Sequence, residues 1–330
     1  MNYKKIGPVE ILMGENDSRP PFSTSMIIKG REHSTVIECA AGEEAFQYMQ
    51  TEHNIKQIYL THHHFDHIWG VHHFPEVDKF INPIDHEKVL DAKELLLAQG
   101  FPAVFSKEEL AKLNETMPRK SFPGIDRSNR ASLNIANTYS YGEKLNLSDT
   151  TVIMIHSPGH SQGYCCPYLP EYGILYVGDF DLSSFGPFYC DAECDIDKFI
   201  ESAEKTLEID AAYYVTAHQK GILLKEDYRK ELKDYLTIIQ KRDDIIKRFI
   251  KKGGLPKDLI KQGVFYYEDQ YKLNSFFMKS EIVGIVKHLQ RLIAGGEPFE
   301  EYYEAYIAAH NIKKEYLDYR KISNVKSVFK

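Results

Sequence analysis

The hydrophobic pattern of the first part of the chain predicts strands interspersed with helices. Short apolar runs at residues 8–13, 24–29 and 34–39 predict the first strands, and turn-rich segments separate them. Residues 43–51 have the composition of a helix, and the mostly apolar run 55–60 predicts a partly buried strand. Strands and helices in this mixed spacing predict packed sheets flanked by helices.

Residues 85–138 interrupt this alternation after a predicted strand at 79–82. Composition predicts helices at 85–99 and 107–114, and the surrounding proline and glycine residues exclude one continuous helix. Two interpretations of this insertion stay open, a structural elaboration or a lid over a functional site. A lid would supply an apolar wall from three aromatic side chains: Phe101, Phe105 and Phe122.

The pattern becomes helical after residue 221. The charged segment 225–252 has apolar residues at helical spacing and ends at two glycines. Three further helices are predicted at 255–261, 279–293 and 300–310. The chain of 330 residues exceeds the usual size of one domain, so we expect a core unit at 1–222, containing the insertion, and a helical C-terminal domain at 223–330.

Composition and charge restrict the partners of this chain. It is 43% hydrophobic and 27% charged, as expected of a globular protein, and its net charge of −7 does not favour broad binding to nucleic acid. The first residues contain no apolar signal segment, and no later run is long enough to span a bilayer. We therefore expect a cytoplasmic protein with a small-molecule substrate and no membrane partner, and a homo-oligomer is an open alternative.

The five cysteines predict reduced thiols rather than a disulfide framework, because their number is odd and no secretion signal precedes them. The pair Cys190 and Cys194 has a spacing compatible with zinc, but no second spaced pair completes a site. Ordinary thiols are the preferred interpretation of this pair.

Candidate chemistry is concentrated directly after the predicted strand 55–60. Four candidate metal ligands follow within six residues: His62, His64, Asp66 and His67. In extended chain His62 and His64 share one side, while His63 points to the other side and is interpreted as a bystander. The chain is expected to become helical near Asp66. Imidazole and carboxylate ligands favour zinc, with iron or manganese as alternatives.

Three later apolar runs also end in a candidate ligand. A tight turn with His160 follows the run at 151–155, Asp179 ends the run that includes Tyr176, and His218 ends a third. Four strand ends that each deliver a ligand type can build one cluster at the rim of a sheet core.

This order of His-x-His-x-Asp-His, Gly-His, Gly-Asp and His resembles that of the metallo-β-lactamase-fold hydrolases over roughly residues 5–222. The resemblance implies the α+β class with a four-layer αββα sandwich. It also implies two divalent metal ions, most simply zinc. One ion would be held by His62, His64 and His160 and the other by Asp66, His67 and His218, with Asp179 bridging both.

The resemblance implies a metal-dependent hydrolase that uses a metal-bridging hydroxide on a small ester, thioester or lactone. Asp66 would hold the second metal and orient or shuttle a proton. Many antibiotic-resistance β-lactamases have arginine and cysteine at the positions of His67 and Asp179, so that activity is not expected. Two alternatives remain, a nuclease acting on RNA, since some endoribonuclease relatives have a similar C-terminal domain, and a mononuclear-iron oxidoreductase of the persulfide dioxygenase type.

Overall fold

Two β-sheets form the centre of the protein within residues 2–116 and 133–319, which the computed structural model describes. The first has seven strands in chain order: β1 (Tyr3–Ile6), β2 (Val9–Leu12), β3 (Ser25–Lys29), β4 (Ser34–Ile37), β5 (Ile55–Tyr59), β6 (Asp78–Ile81) and β7 (Asn137–Thr138). The second has six, in the order β13-β12-β11-β10-β9-β8: β8 (Lys144–Leu147), β9 (Thr150–His156), β10 (Cys165–Leu169), β11 (Ile174–Gly178), β12 (Tyr213–Thr216) and β13 (Ile222–Leu224).

Helices connect these strands and make up most of the C-terminal region. Those described are α1 (Glu15–Ser18), α2 (Glu43–Glu52), α3 (Phe65–Ile68), α4 (His86–Leu90), α5 (Ala92–Gln99), α6 (Phe101–Val104), α7 (Lys107–Thr116), α8 (Ile196–Lys205), α9 (Lys225–Lys251), α10 (Glu268–Tyr271), α11 (Ser275–Ala294) and α12 (Glu300–Ala309). Short 3-10 helices occupy Trp69–His73, Pro170–Tyr172, Thr206–Glu208, Pro256–Gln262 and Lys314–Tyr316. The turn α1 is left-handed at Asn16 and Asp17, with φ of 51° and 54°.

The buried strand β11 shows how the layers arise from side-chain alternation. Ile174 and Tyr176 face the core between the two sheets, whereas Leu175 and Val177 face the outer core that α8, α9 and α11 complete. The outer face of the first sheet packs instead on α2, which contributes Phe46 among others. Helix, sheet, sheet and helix therefore form four layers, which confirms the predicted αββα arrangement and the helical C-terminal region.

The predicted helix at 85–99 is wrong as one element, since the structure divides it into α4 and α5. Asp91 between them is extended, with φ of −119° and ψ of 115°, and its side chain accepts the amide hydrogen of Lys93. An aspartate that caps the next helix in this way ends the preceding one. The segment predicted as a helix at 255–261 forms a 3-10 helix, and α8 and β1 were not predicted from the pattern.

The described part of the insertion packs against the C-terminal helices. Phe101 and Phe105 are only 1% and 9% exposed and form a cluster with α11 residues Phe276 and Met278. The burial of these two rings in a core cluster favours the structural interpretation of the insertion over the lid. Phe122 lies outside the described residues. The boundary predicted at 222/223 falls inside β13, which pairs with β12, and the division into two domains stays a prediction.

Membrane segments and disulfides were also expected to be absent. Among the helices described, none is both long enough and apolar enough to cross a bilayer. All five cysteines are buried and carry free thiols, as predicted. Burial raises the pKa of both Cys166 and Cys190 to about 12, which keeps these thiols protonated. Within the part of the chain described, no cysteine belongs to a cluster that could hold a metal.

Candidate metal centre

The seven predicted ligands come together at one rim of the two sheets. The loop that carries His62 begins after β5, and His160 lies in the turn between β9 and β10. Asp179 and His218 follow β11 and β12, which pair in parallel, so both side chains leave the same sheet edge. The parallel pairing and the two facing sheets thus bring residues more than 150 positions apart to one place.

A first group contains His62, His64, His160 and Asp179, whose candidate ligand atoms all lie within 4.8 Å of one another. The Nε2 atom of His160 is central, at 3.2 Å from His62 Nε2 and 2.9 Å from His64 Nδ1. Asp179 Oδ2 lies 2.8 Å from the same His160 atom. Three imidazoles and one carboxylate converge here, which is a donor set suited to zinc, iron or manganese.

A second group contains Asp66, His67 and His218, also within 4.8 Å of one another. Asp66 and His67 lie on the short helix α3, where the chain turns helical as predicted. The Oδ1 atom of Asp179 is 3.0 Å from His67 Nε2 and 3.5 Å from His218 Nε2. One carboxylate oxygen of Asp179 therefore faces each group.

The hydrogen bonds of the ring nitrogens that face away from the centre indicate whether the nitrogens that face it can bind a cation. Nδ1 of His160 lies 3.0 Å from Phe188 O, and Nδ1 of His218 lies 2.7 Å from Ser18 O. Because carbonyls only accept, each Nδ1 carries the hydrogen, which leaves Nε2 as the nitrogen that can bind a metal ion. Asp179 Oδ1 and His67 Nε2 are also buried, and they face each other at 3.0 Å without the geometry of a good hydrogen bond. Lone pairs and carboxylate oxygens that converge in this way fit metal ions.

Glu38 is a site residue that the sequence interpretation missed. One carboxylate oxygen makes a short contact with Nδ1 of His67, and the other accepts the amide hydrogen of Thr61 at 2.5 Å. Glu38 follows β4, which pairs in parallel with β5. The sequence contained one signal for Glu38: a carboxylate that directly follows a buried strand. That strand, β4, lies beside β5, which leads to the histidines.

Tyr164 and two glycines fix the turns that carry the ligands. The hydroxyl of Tyr164 accepts the amide hydrogen of Asp179 at 2.7 Å. Gly178, which precedes Asp179, has a φ of 51°. A Cβ at Gly178 would lie 2.2 Å from that hydroxyl, so a side chain there would displace Tyr164. Gly159, beside His160, has φ of 134°, and its Cβ would lie 2.2 Å from the backbone of Phe199. Both turns therefore require glycine.

Burial and neighbouring charges shift the pKa values of the histidines at the centre in different directions. Burial lowers the pKa of His62 well below its usual value, and the neighbouring rings of His67 and His64 lower it further. Burial opposes the charged form of His67 as well, but Asp179 and Glu38 raise its pKa well above the usual value. Metal ligation at Nε2 requires the loss of a proton from this ring.

A separate buried cluster surrounds His63, on the opposite side from His62 and His64. Its Nδ1 is 3.3 Å from an oxygen of Asp85, and its Nε2 is 3.3 Å from an oxygen of Glu193. Lys88 Nζ contacts both carboxylates, at 2.7 Å from Asp85. The two ring nitrogens face different acids, and the Lys88 ammonium offsets one of the two negative charges. We therefore interpret this cluster as a buried ion-pair network rather than a metal site.

The centre opens to solvent at one side. Among the seven side chains, Asp66 is 26% exposed and His64 is 11% exposed, while those of His62 and His67 are fully buried. Phe188 lies beside this opening, its ring centroid 6.0 Å from those of both His64 and His160. A substrate would therefore reach the centre next to Asp66 and His64.

Comparison with known proteins gives a consistent result. The family model described as the metallo-beta-lactamase superfamily matches residues 18–218. No curated protein matches the chain. A metallo-beta-lactamase family protein from Thermus thermophilus is 17% identical, with a TM-score of 0.60, over 88% of this chain and 94% of that one. A beta-lactamase domain protein from Burkholderia ambifaria is 14% identical, with a TM-score of 0.60, over 90% and 89%. At these identities the likeness shows a shared fold.

Proposed function

This chain belongs to the metallo-beta-lactamase superfamily, and we propose that it is a dinuclear metal-dependent hydrolase of a small ester, thioester or lactone. The observation that carries the proposal is the position of Asp179 between two groups of histidines. Its Oδ2 atom is 2.8 Å from His160 Nε2, and its Oδ1 atom is 3.0 Å from His67 Nε2. A carboxylate with one oxygen toward each group is suited to join two metal ions.

Each residue of the centre has a role under this proposal. His62, His64 and His160 would hold one ion, and Asp66, His67 and His218 would hold the other, with Asp179 shared. When bound, the ions would lower the pKa of a coordinated water and polarise the group under attack. Zinc is the preferred metal for imidazole and carboxylate ligands, and iron or manganese would also fit.

Asp66 is the proposed proton-handling residue. It is the most exposed of the seven side chains, and its Oδ2 atom lies 3.5 Å from His218 Nε2. Burial alone would raise the pKa of Asp66, but His67 and His218 lower it below the usual value. An ionised carboxylate at the opening would help to hold the second ion and could accept a proton from the attacking water and pass it to the leaving group.

The test combines metal analysis with a hydrolysis panel. Protein purified without added metal is measured for zinc, iron and manganese, then assayed on small esters, thioesters and lactones. Two metal ions per chain together with hydrolysis that disappears in His160→Ala would support the proposal. One iron per chain without hydrolysis would favour the oxidoreductase alternative, and salt-sensitive cleavage of RNA would favour the nuclease.

A further inference from the structure

The loop between β11 and α8 contacts the rings of the metal centre at several points. Phe188 O accepts the Nδ1 hydrogen of His160 at 3.0 Å, and the thiol of Cys194 lies 2.8 Å from His160 O. Between these contacts, Asp191 Oδ2 lies 3.3 Å from Nε2 of His64. Its side chain is only 1% exposed. A buried carboxylate thus lies on the outer side of a ring whose other nitrogen faces the centre.

The second oxygen of Asp191 is bound by the C-terminal region. Lys279, on α11, makes a short contact from Nζ to Asp191 Oδ1 and donates to Cys190 O at 3.2 Å. The Lys279 side chain is fully buried, and its Nζ lies 4.6 Å from the ring centroid of Phe276. Burying two charged groups is costly, and an ion pair stabilises less than well-packed apolar side chains of similar volume. The position of this pair directly behind His64 therefore calls for a role beyond packing.

We infer that Asp191 and Lys279 together position His64 for metal binding. Lys279 holds the carboxylate, the carboxylate accepts the Nε2 hydrogen of His64, and the Nδ1 lone pair is thereby directed to the centre. Nδ1 lies 2.9 Å from His160 Nε2, on the side where the ligands converge. The inference rests on the proposed function, because it takes His64 as a metal ligand. It gives helix α11 a part in the metal centre, exerted by Lys279 through Asp191.

The same helix offers a matched control. Lys287 is also on α11 and donates to the same loop, at 3.2 Å to Ala192 O and 2.6 Å to Cys194 O. It contacts backbone carbonyls and not the carboxylate behind His64. Lys287→Met therefore removes a lysine that fastens the loop, while the link from Lys279 through Asp191 to His64 stays intact.

The experiment measures metal affinity in full-length protein by competition with a chelator, and the absorption spectrum of the Co²⁺-substituted form. We expect Asp191→Asn and Lys279→Met each to weaken metal binding at the site of His62, His64 and His160 about 10–100-fold and to shift the Co²⁺ spectrum, as for other groups that orient ligating histidines. Lys279→Arg should recover part of the affinity, because it keeps the positive charge. The double variant should lose little more than Asp191→Asn alone, since the two residues act as a unit.

The outcomes separate this inference from the proposed function. The first outcome is that the wild type binds metal, His160→Ala abolishes this binding and Asp191→Asn leaves it unchanged. That outcome would overturn the inference but not the proposed function. Equal losses in Lys279→Met and Lys287→Met would overturn it too, because general fastening of the loop would explain both. A wild-type chain that binds no metal would overturn the proposed function and the inference together. If Lys279→Met does not fold, the near-isosteric Asp191→Asn decides, read against Lys287→Met.

Discussion

The hydroxyl of Tyr164 lies 2.7 Å from the amide nitrogen of Asp179 and donates its own hydrogen to Val177 O at 2.7 Å. It joins Val177, near the end of β11, to the backbone of Asp179, whose carboxylate faces both histidine groups. Tyr164→Phe keeps the ring but removes the hydrogen-bond partner of the Asp179 amide, while Val177 O still accepts the amide hydrogen of Phe180 at 3.1 Å. We expect it to lower the free energy of unfolding by about 1–3 kcal/mol and to reduce occupancy of the second metal. Chemical denaturation and metal analysis measure the two effects.

Tyr168→Phe is the control for Tyr164→Phe. The hydroxyl of Tyr168 donates to Asp210 O at 2.6 Å near the surface. We expect nearly wild-type stability and metal content in this variant. Equal effects of the two substitutions would contradict the special position of Tyr164.

Asp179→Ala should separate metal binding from folding. The core of β11 is built by its apolar neighbours, including Leu175 and Val177. We expect a retained circular dichroism spectrum, loss of at least one metal per chain, and hydrolysis reduced by at least roughly 100-fold, the upper range for groups that orient ligands. Asp210→Ala, at an exposed position, is the control. Unchanged activity of Asp179→Ala would show that this carboxylate does not bridge.

Glu38→Gln should weaken the second metal site without unfolding the chain. Glu38 contacts Nδ1 of His67, and a neutral amide holds that ring less firmly, so we expect about 10–100-fold lower affinity. The control is Glu10→Gln, since Glu10 forms a similar pair with His53 at 3.1 Å, in which neither residue is a proposed ligand. Equal affinity losses in both variants would refute a specific role for Glu38. Titration with metal in competition with a chelator provides the measurement.

Glu281 should make stability depend on pH. Burial raises the pKa of this carboxyl from its ordinary value of 4.5 to about 7, although its oxygens accept amide hydrogens of Val264, Phe265 and Tyr266 at 2.8 Å. Between pH 4.5 and 7 the folded state therefore binds more protons than the unfolded state. This group's contribution to stability consequently falls as pH rises, by at most roughly 3 kcal/mol.

The variant Glu281→Gln tests that contribution, because it cannot titrate. Its stability relative to wild type should rise between about pH 5 and about pH 8, since only the wild type loses this contribution. Chemical denaturation at both pH values measures the difference in the free energy of unfolding between the two proteins. Both contain the same metal centre, so its own pH dependence cancels in this difference. A parallel dependence in both proteins would contradict the prediction. Glu301→Gln, at an exposed position, is the control.

Phe101→Ala should act on stability and not on the metal centre. Phe101 is 1% exposed in the cluster that joins the insertion to α11, so truncation should cost about 3–5 kcal/mol. Leu90, in the same insertion, is 60% exposed, and Leu90→Ala should change stability by less than about 0.5 kcal/mol. Thermal and chemical denaturation measure both. A changed KM at unchanged stability would restore the lid interpretation for Phe101.

The sequence predicted the parts of this structure that depend on the pattern of neighbouring residues. Period-two alternation separates His63 from His62 and His64, and apolar runs locate the strands that carry His160 and His218. Glu38 was accessible to the same reasoning, through its place after a strand. Asp191 was not, because its partner Lys279 is 88 positions away and no local pattern relates them. The break at Asp91 depends on a competing side-chain cap, which composition does not reveal.

The anchoring of His218 has a consequence for how the protein is made. Its Nδ1 contacts Ser18 O across 200 positions of sequence. This ligand therefore reaches its position only after the segment around His218 has packed against the segment around Ser18. At about 5–20 residues per second, a ribosome needs roughly 10–40 s to pass from the first of these residues to the second. For most of that interval the nascent chain already carries the histidines of residues 62–67 without all of the residues that complete the centre. Formation of the complete centre is therefore a late event that follows synthesis of most of the polypeptide.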